Sequence, residues 1–222
     1  MDAEQAGMSR RDAGGLTQEG GPAPPPGAPA AALVPDTVLM SRYAGGDTAA
    51  FEQIYRRHEK PVYRFLLRSV GIAALADELH QDVWMSVIRN AAGYEPRALF
   101  TTWLYRIART RLIDHWRARD PQEAASLDAP AGAGLAPVDD IADEAAARPE
   151  ALAILRAHAR ALALAVQALP AAQREVFLLH AVSGLALAQV GEVTGAGFET
   201  AKSRFRYACA RLRDSLHEWR SQ

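Results

Sequence analysis

The chain has 222 residues, 49% of them hydrophobic and 23% charged, with a formal net charge of −1. That length allows one large domain or two small ones, and the near-neutral total advertises no nucleic-acid partner. A single cysteine, Cys209, excludes an internal disulfide and a cysteine-based metal site, and the lack of 18 consecutive apolar residues argues against a membrane-spanning helix or direct membrane insertion.

Residues 1–35 close with GGPAPPPGAPAAALVP, where proline and glycine deny any core-forming period, so a disordered N-terminal extension is expected. No apolar run follows Arg10 and Arg11, so no signal peptide is expected. From Asp36 onward apolar residues recur at helical spacing: Phe51, Ile54 and Tyr55, then Val62, Phe65 and Leu66, then Leu79, Val83 and Val87. Pro61 suits the first turn of a new helix. A loop over 92–96 precedes a helix from Phe100 to about Arg117, which Pro121 stops. Residues 121–149 have almost no apolar period and are long for a loop inside a compact domain, so they read as a linker. Helical pattern resumes over 149–168, 171–182, 186–193 and 198–219, and no strand pattern is convincing. The expected fold class is all-α, with small helical domains over 36–120 and 150–222 joined by the flexible linker.

The total charge hides a division. Residues 36–119 carry 13 Lys/Arg against 9 Asp/Glu, and residues 151–222 carry 9 against 5, so both stand at +4. Residues 120–150 carry 1 against 8, or −7. Two basic modules therefore flank an acidic strip, an asymmetry that points to polyanionic partners for the modules.

Residues 185–216 read as a helix-turn-helix: a short helix, a turn in which Gly195 takes the left-handed conformation, and a second helix. Ala201, Phe205, Ala208 and Leu212 form the inward stripe of that second helix, leaving Glu199, Thr200, Lys202, Ser203, Arg206 and Arg213 largely outward, able to reach phosphates and base edges. A helical hairpin with a solvated basic face would show the same pattern, but the cations at 202, 204, 206, 211 and 213 repel one another unless an anion is near. Residues 100–119 interleave Trp103, Tyr105 and Trp116 with five arginines, a combination suited to single-stranded nucleic acid, since bases stack on rings while arginine holds phosphate. Trp103 and Ile107, with Leu104 beside them, read as its core side; a plain amphipathic surface helix is the competing interpretation. Residues 76–90 place Asp77, Glu78, Gln81 and Asp82 on one side and Leu79, Val83, Val87 and Ile88 on the other. Acidic residues in a first turn suit the helix dipole, and also suit docking on a basic protein.

The segments GDTAAFEQIYRRHEKPVYRFL, ADELHQDVWMSVIRN, FTTWLYRIARTRLIDHWRAR and ALPAAQREVFLLHAVSGLALAQVGEVTGAGFETAKSRFRYACARLR together resemble, in order, the successive signatures of the extracytoplasmic-function sigma factors of the sigma-70 family. The resemblance covers about residues 36–119 and 151–216. It implies sigma domain 2 over 36–120, which docks on core RNA polymerase and reads the −10 element, and helix-turn-helix sigma domain 4 over 150–222, which reads the −35 element of promoter DNA. By the same resemblance Asp77, Glu78, Gln81 and Asp82 match the polymerase-docking positions. Tyr94, Trp103, Arg106, Arg109, Thr110, Asp114 and Arg117 match the −10 positions, the loop 94–99 being similar to the one that captures a flipped-out base. Thr200, Lys202, Ser203, Arg204 and Arg206 match the −35 reader. The acidic linker is similar to the family segment that threads the polymerase channels. The family also implies a cytoplasmic location and an anti-sigma partner, often membrane-bound.

Three positions depart from the family pattern. Thr110 stands where asparagine is usual. Gly191 stands where alanine is usual, at a cost of up to about 1 kcal/mol in an exposed helix interior. An arginine usual at Tyr207 appears one place earlier, at Arg206, which turns it about 100° around the helix. No catalytic residue, metal site or cofactor is expected: the six histidines have no ligand spacing, and no phosphate-binding loop or nucleophile motif occurs. The alternative function is a helix-turn-helix regulator that binds duplex operators without core polymerase. A protein-only adaptor is disfavoured by the basic C-terminal module.

Overall fold

The computed structural model describes residues 34–96, 98–119 and 149–220. The expected N-terminal extension and most of the expected linker lie outside these residues. Helix α1 spans Asp36–Ala44 and α2 spans Thr48–Val70. Asp47 caps α2 by accepting the Ala50 N–H at 3.2 Å, and Arg42 pairs with the same carboxylate at 2.6 Å, which holds it below the usual carboxylate range. Helix α3 spans Ala73–Asn90, and after a short 3₁₀ turn at Ala91–Gly93 the chain enters α4, Phe100–Arg119. Past the linker come α5 (Pro149–Gln167), α6 (Ala171–Phe177), α7 (Leu187–Thr194) and α8 (Phe198–Arg220). Helix α6 widens into a π-turn at Leu178–Val182 before it ends. Helical structure thus accounts for every regular element among the described residues.

Pro61 does not start a helix; it sits inside α2. Proline lacks the N–H that would bond one turn back, a loss of about 3 kcal/mol in a helix interior. The stripe nevertheless continues across it, with Ile54, Val62, Phe65 and Leu66 all at most 1% exposed. Each such side chain contributes roughly 1.5–3 kcal/mol on burial, so several together outweigh one interrupted bond.

The core of the N-terminal helices forms where α1, α3 and α4 meet α2. The inward face of α4 is rotated from the expected one. Leu104, Tyr105, Ala108 and Leu112 are buried, while Trp103 and Ile107 lie half-buried at its margin. Tyr105 packs edge-on against Phe65 at 5.5 Å between ring centres, and burial pushes its hydroxyl up to about 12. Ile88 likewise departs from expectation, being 40% exposed rather than inward. In the C-terminal helices, α8 packs against α5, α6 and α7 through Ala201, Ala208 and Leu212.

These two sets of helices also touch each other. Helix α7 packs on α4, and the π-turn after α6 packs on α2. The contact carries specific polar bonds. Gln167 donates to the Arg68 carbonyl at 2.7 Å, Arg109 pairs with Glu175 at 2.7 Å, and the Gln189 amide nitrogen lies 3.1 Å from both the Thr101 and Thr102 hydroxyls.

Candidate nucleic-acid interface

The turn between α7 and α8 brings their backbones into direct contact. Gly195 adopts φ +70°, the left-handed conformation expected of it, and its N–H donates to the Gly191 carbonyl. The N–H groups of Ala196 and Gly197 reach the same carbonyl at 3.2 and 3.4 Å. Gly191 itself is buried, not exposed as the cost assigned to it assumes. A Cβ there would lie 2.7 Å from the Gly197 carbonyl carbon and 2.9 Å from the Phe198 nitrogen. The missing side chain lets α7 carry the start of α8 at backbone contact, which sets the angle of the second helix.

On α8, Ala201 and Ala208 are buried and Leu212 nearly so, as the inward stripe requires, with Phe205 half-buried against Phe177 and His180. Thr200, Lys202 and Arg206 are exposed, while Ser203 and Arg204 are half-buried. At 100° per residue, Lys202, Arg206 and Arg213 share one flank of the outer face and Thr200, Arg204 and Arg211 the other. Lys202 lies 3.8 Å from Glu199 and 5.7 Å from the centre of the Phe198 ring, and Arg206 lies over Tyr207 at 5.2 Å. Phe198 and Tyr207 are 47% and 54% exposed. Sequence reasoning passed over these two rings as contact residues. For Tyr207 the signal was present, since it falls off the inward stripe, and an off-stripe aromatic beside a cation is poised for contact rather than packing. Phe198 continues the stripe three residues before Ala201, and only its place at the start of α8 leaves it exposed.

A second surface lies at the start of α4. Tyr94, Phe100 and Trp103 gather into one aromatic cluster, with ring centres 5.1 Å apart for Tyr94–Trp103 and 5.8 Å for Phe100–Trp103. Phe100 is buried beneath and the other two are half-buried at the rim. Burial raises the Tyr94 phenol above its ordinary range, with the Asp36 charge adding to the effect. The Tyr94 hydroxyl is buried with no hydrogen-bond partner among the described residues. Arg106, Thr110, Asp114 and Arg117 follow along the exposed side of α4, so five of the seven expected positions, counting Trp103, share a continuous strip. Thr110 turns its hydroxyl back onto the Arg106 carbonyl at 2.9 Å, and Asp114 lies 3.6 Å from Arg111. Arg109 is drawn toward Glu175, and Arg106 donates to the Glu192 carbonyl at 3.3 Å.

The third surface is α3. Asp77, Glu78, Gln81 and Asp82 are all exposed, and Leu79, Val83, Trp84 and Val87 are buried behind them. Met85 and Ile88, 43% and 40% exposed, extend the acidic patch with an apolar end that the periodicity had folded inward. The three surfaces thus stay on separate elements: an acidic and apolar face, an aromatic and cationic strip, and a recognition helix. Among the described residues no group of acidic, histidine or cysteine side chains could hold a metal ion, and no helix is long and apolar enough to cross a membrane.

Comparison with known proteins matches residues 54–122 to sigma-70 region 2 and residues 159–212 to sigma-70 region 4. The chain is 32% identical over 181 residues to the ECF RNA polymerase sigma factor SigK of Mycolicibacterium vanbaalenii, covering 80% of this chain and 87% of that one. It is 33% identical over 180 residues to the RNA polymerase sigma factor CarQ of Myxococcus xanthus, covering 81% and 96%. Its fold is similar to that of CnrH, solved in complex with the cytosolic domain of CnrY, with a TM-score of 0.59 at 23% identity over 82% of this chain and 97% of the other. It is also similar to the sigma factor RpoE of Bartonella quintana, solved with the anti-sigma factor NepR, with a TM-score of 0.57 at 23% identity over 75% and 96%.

Proposed function

The chain belongs to the extracytoplasmic-function sigma factors of the sigma-70 family, and from that membership we propose which of its surfaces performs each part of transcription initiation. As an RNA polymerase sigma factor it works with core polymerase at promoters. The α3 face of Asp77, Glu78, Gln81 and Asp82 docks on the polymerase, and Met85 and Ile88 supply its apolar end. Thr200, Lys202, Ser203, Arg204 and Arg206 engage the −35 duplex, Lys202 and Arg206 through phosphates and the shorter side chains near base edges. Tyr94 and Trp103 receive an unstacked base of the −10 element, while Arg106, Arg109 and Arg117 hold its backbone, with Thr110 and Asp114 lining the strip. Selective binding of the unstacked strand shifts the duplex toward the melted state. The polymerase supplies the catalysis, so the chain needs no catalytic residue or cofactor.

Domain 2 then corresponds to residues 36–120 and domain 4 to residues 150–222, with the acidic segment 121–149 passing between them. The chain acts in the cytoplasm, where an anti-sigma protein, membrane-bound in many relatives, restrains it. The observation that carries this reading is the outer face of α8, where Thr200, Lys202 and Arg206 stand exposed while the opposite side packs through Ala201, Ala208 and Leu212. The test is transcription in vitro on genomic fragments with core polymerase, with and without the chain. Chain-dependent start sites sharing a two-part upstream motif are expected. Tight binding to duplex fragments without polymerase, and no new start sites with it, would refute the reading and identify an operator-binding regulator instead.

A further inference from the structure

Two of the residues assigned to promoter DNA are already engaged within the chain. Arg109 pairs through Nε with Glu175 Oε1 at 2.7 Å, and the two side chains are only 22% and 18% exposed. Glu175 lies on α6, outside the helix-turn-helix of α7 and α8. One turn earlier on α4, Arg106 donates to the Glu192 carbonyl near the end of α7. At the start of α4, Gln189 closes the contact with a polar fork. Its Oε1 accepts the Ala186 N–H at 2.9 Å, which fixes the amide so that its nitrogen faces Thr101 and Thr102. Thr102 is 1% exposed, so this bond lies inside the contact rather than at its edge.

We infer that Glu175, Gln189 and the Glu192 carbonyl form an intramolecular clasp that occupies the DNA-facing side of α4 in the free chain, so that clasp and promoter compete for Arg106 and Arg109. The inference rests on the assignment of those two arginines to the −10 strand. Its chemistry is a substitution of like for like. A carboxylate and a backbone carbonyl present to the two guanidinium groups the same anionic or partly negative oxygens that a phosphodiester would. Arg109 spends only its Nε on Glu175, so the competition is for space on that side of α4: α7 packs there, and a DNA strand cannot reach both guanidinium groups until α7 leaves. The contact's few polar bonds stand beside the packing of α7 on α4 and of the π-turn on α2, and relative motion is the default for helical units joined through a modest interface. A chain so clasped binds promoter only from its open fraction, which lowers its apparent affinity by that fraction.

The test compares the full-length chain with Glu175→Gln and with the charge-exchanged double variant Arg109→Glu/Glu175→Arg. Two quantities are measured: the radius of gyration of the free chain by small-angle scattering, and the chain concentration that gives half-maximal promoter complex with core polymerase. Glu175→Gln keeps the size of the side chain and removes its charge. It is expected to expand the free chain and to lower the half-maximal concentration by about five-fold, the scale of one ion pair of about 1 kcal/mol. The exchanged variant should regain the compact radius, since the pair is rebuilt, yet form little promoter complex, since a carboxylate now faces the DNA. An unchanged radius in Glu175→Gln overturns the clasp. An expanded chain with an unchanged half-maximal concentration overturns the competition. If the unaltered chain directs no specific initiation at all, the sigma assignment fails, while the scattering arm still reports on the clasp.

Discussion

Replacing Gly191 with alanine inverts an ordinary rule. In an exposed helix interior Gly→Ala stabilises by about 1 kcal/mol, because glycine carries the larger conformational entropy in the unfolded chain. At Gly191 the new Cβ would meet the Gly197 carbonyl carbon at 2.7 Å, its oxygen at 2.9 Å and the Phe198 nitrogen at 2.9 Å. All three are backbone atoms at the start of α8, so no side chain can swing aside. Relief requires α7 and α8 to move apart, which strains the N–H groups of Ala196 and Gly197 that bond to the Gly191 carbonyl. Overpacking of this kind costs about 1–3 kcal/mol, so after the entropic gain Gly191→Ala should destabilise the chain by roughly 1–2 kcal/mol. The tilt it forces on α8 should also weaken promoter complex formation. Gly93 serves as the control, since a Cβ there meets nothing within 4 Å; Gly93→Ala should be neutral or stabilising by up to about 1 kcal/mol. Urea denaturation followed by circular dichroism measures both. A Gly191→Ala variant as stable as the parent would refute the claim that backbone contact, rather than helix propensity, governs this position.

Lys202→Ala should weaken promoter binding by the polymerase complex about uniformly across sequences and reduce the slope of log affinity against log salt by about 1, as loss of one phosphate contact requires. An unchanged slope would remove Lys202 from the DNA. Asp82→Lys lies on an exposed part of α3, so its effect on stability should stay within about 0.5 kcal/mol. Its affinity for core polymerase, measured by competition with a labelled parent chain, should fall at least several-fold; equal affinity would move the docking surface elsewhere. His80 titrates below its ordinary value because burial disfavours its charged form, against the opposing pull of the Glu59 carbonyl and the Glu59 and Asp77 charges. Its Nε2 lies 2.9 Å from the Trp84 indole nitrogen and 3.1 Å from the Glu59 carbonyl. While unprotonated at Nε2 it accepts the indole N–H, and protonation there would let it donate to the Glu59 carbonyl but leave the indole without its acceptor. The folded-state value lies under the unfolded one, so the unfolded chain binds the proton more readily. Stability from this group is therefore full above about pH 6.5 and is lost as pH falls toward the folded-state value. His80→Gln should flatten the stability profile in that window, and a profile of unchanged steepness would exclude His80 as its source.

Much of this protein is written in short-range pattern. Apolar spacing of three and four located the helices from Asp36 to Asn90 and from Pro149 onward, and glycine at 195 marked the turn of the helix-turn-helix, because both depend on neighbours within one or two turns of chain. The exposed Asp77, Glu78, Gln81 and Asp82 and the outward Thr200 and Lys202 were legible for the same reason, since a strongly amphipathic helix declares its wet side. What depended on partners distant in sequence was not legible. Helix α4 carries aromatics and arginines on several sides, so only packing against α2 and α3 selected Leu104, Tyr105, Ala108 and Leu112 as its buried face over Trp103 and Ile107. The passage of α2 through Pro61 was decided by the core on either side of it, and the need for glycine at 191 by a backbone six residues on. The pairing of Arg109 with Glu175 joins residues 66 positions apart. Periodicity reports which residues share a face of a helix, but a face acquires its neighbour only when the chain folds back upon itself, and in this protein that step chose the partners of Arg106 and Arg109.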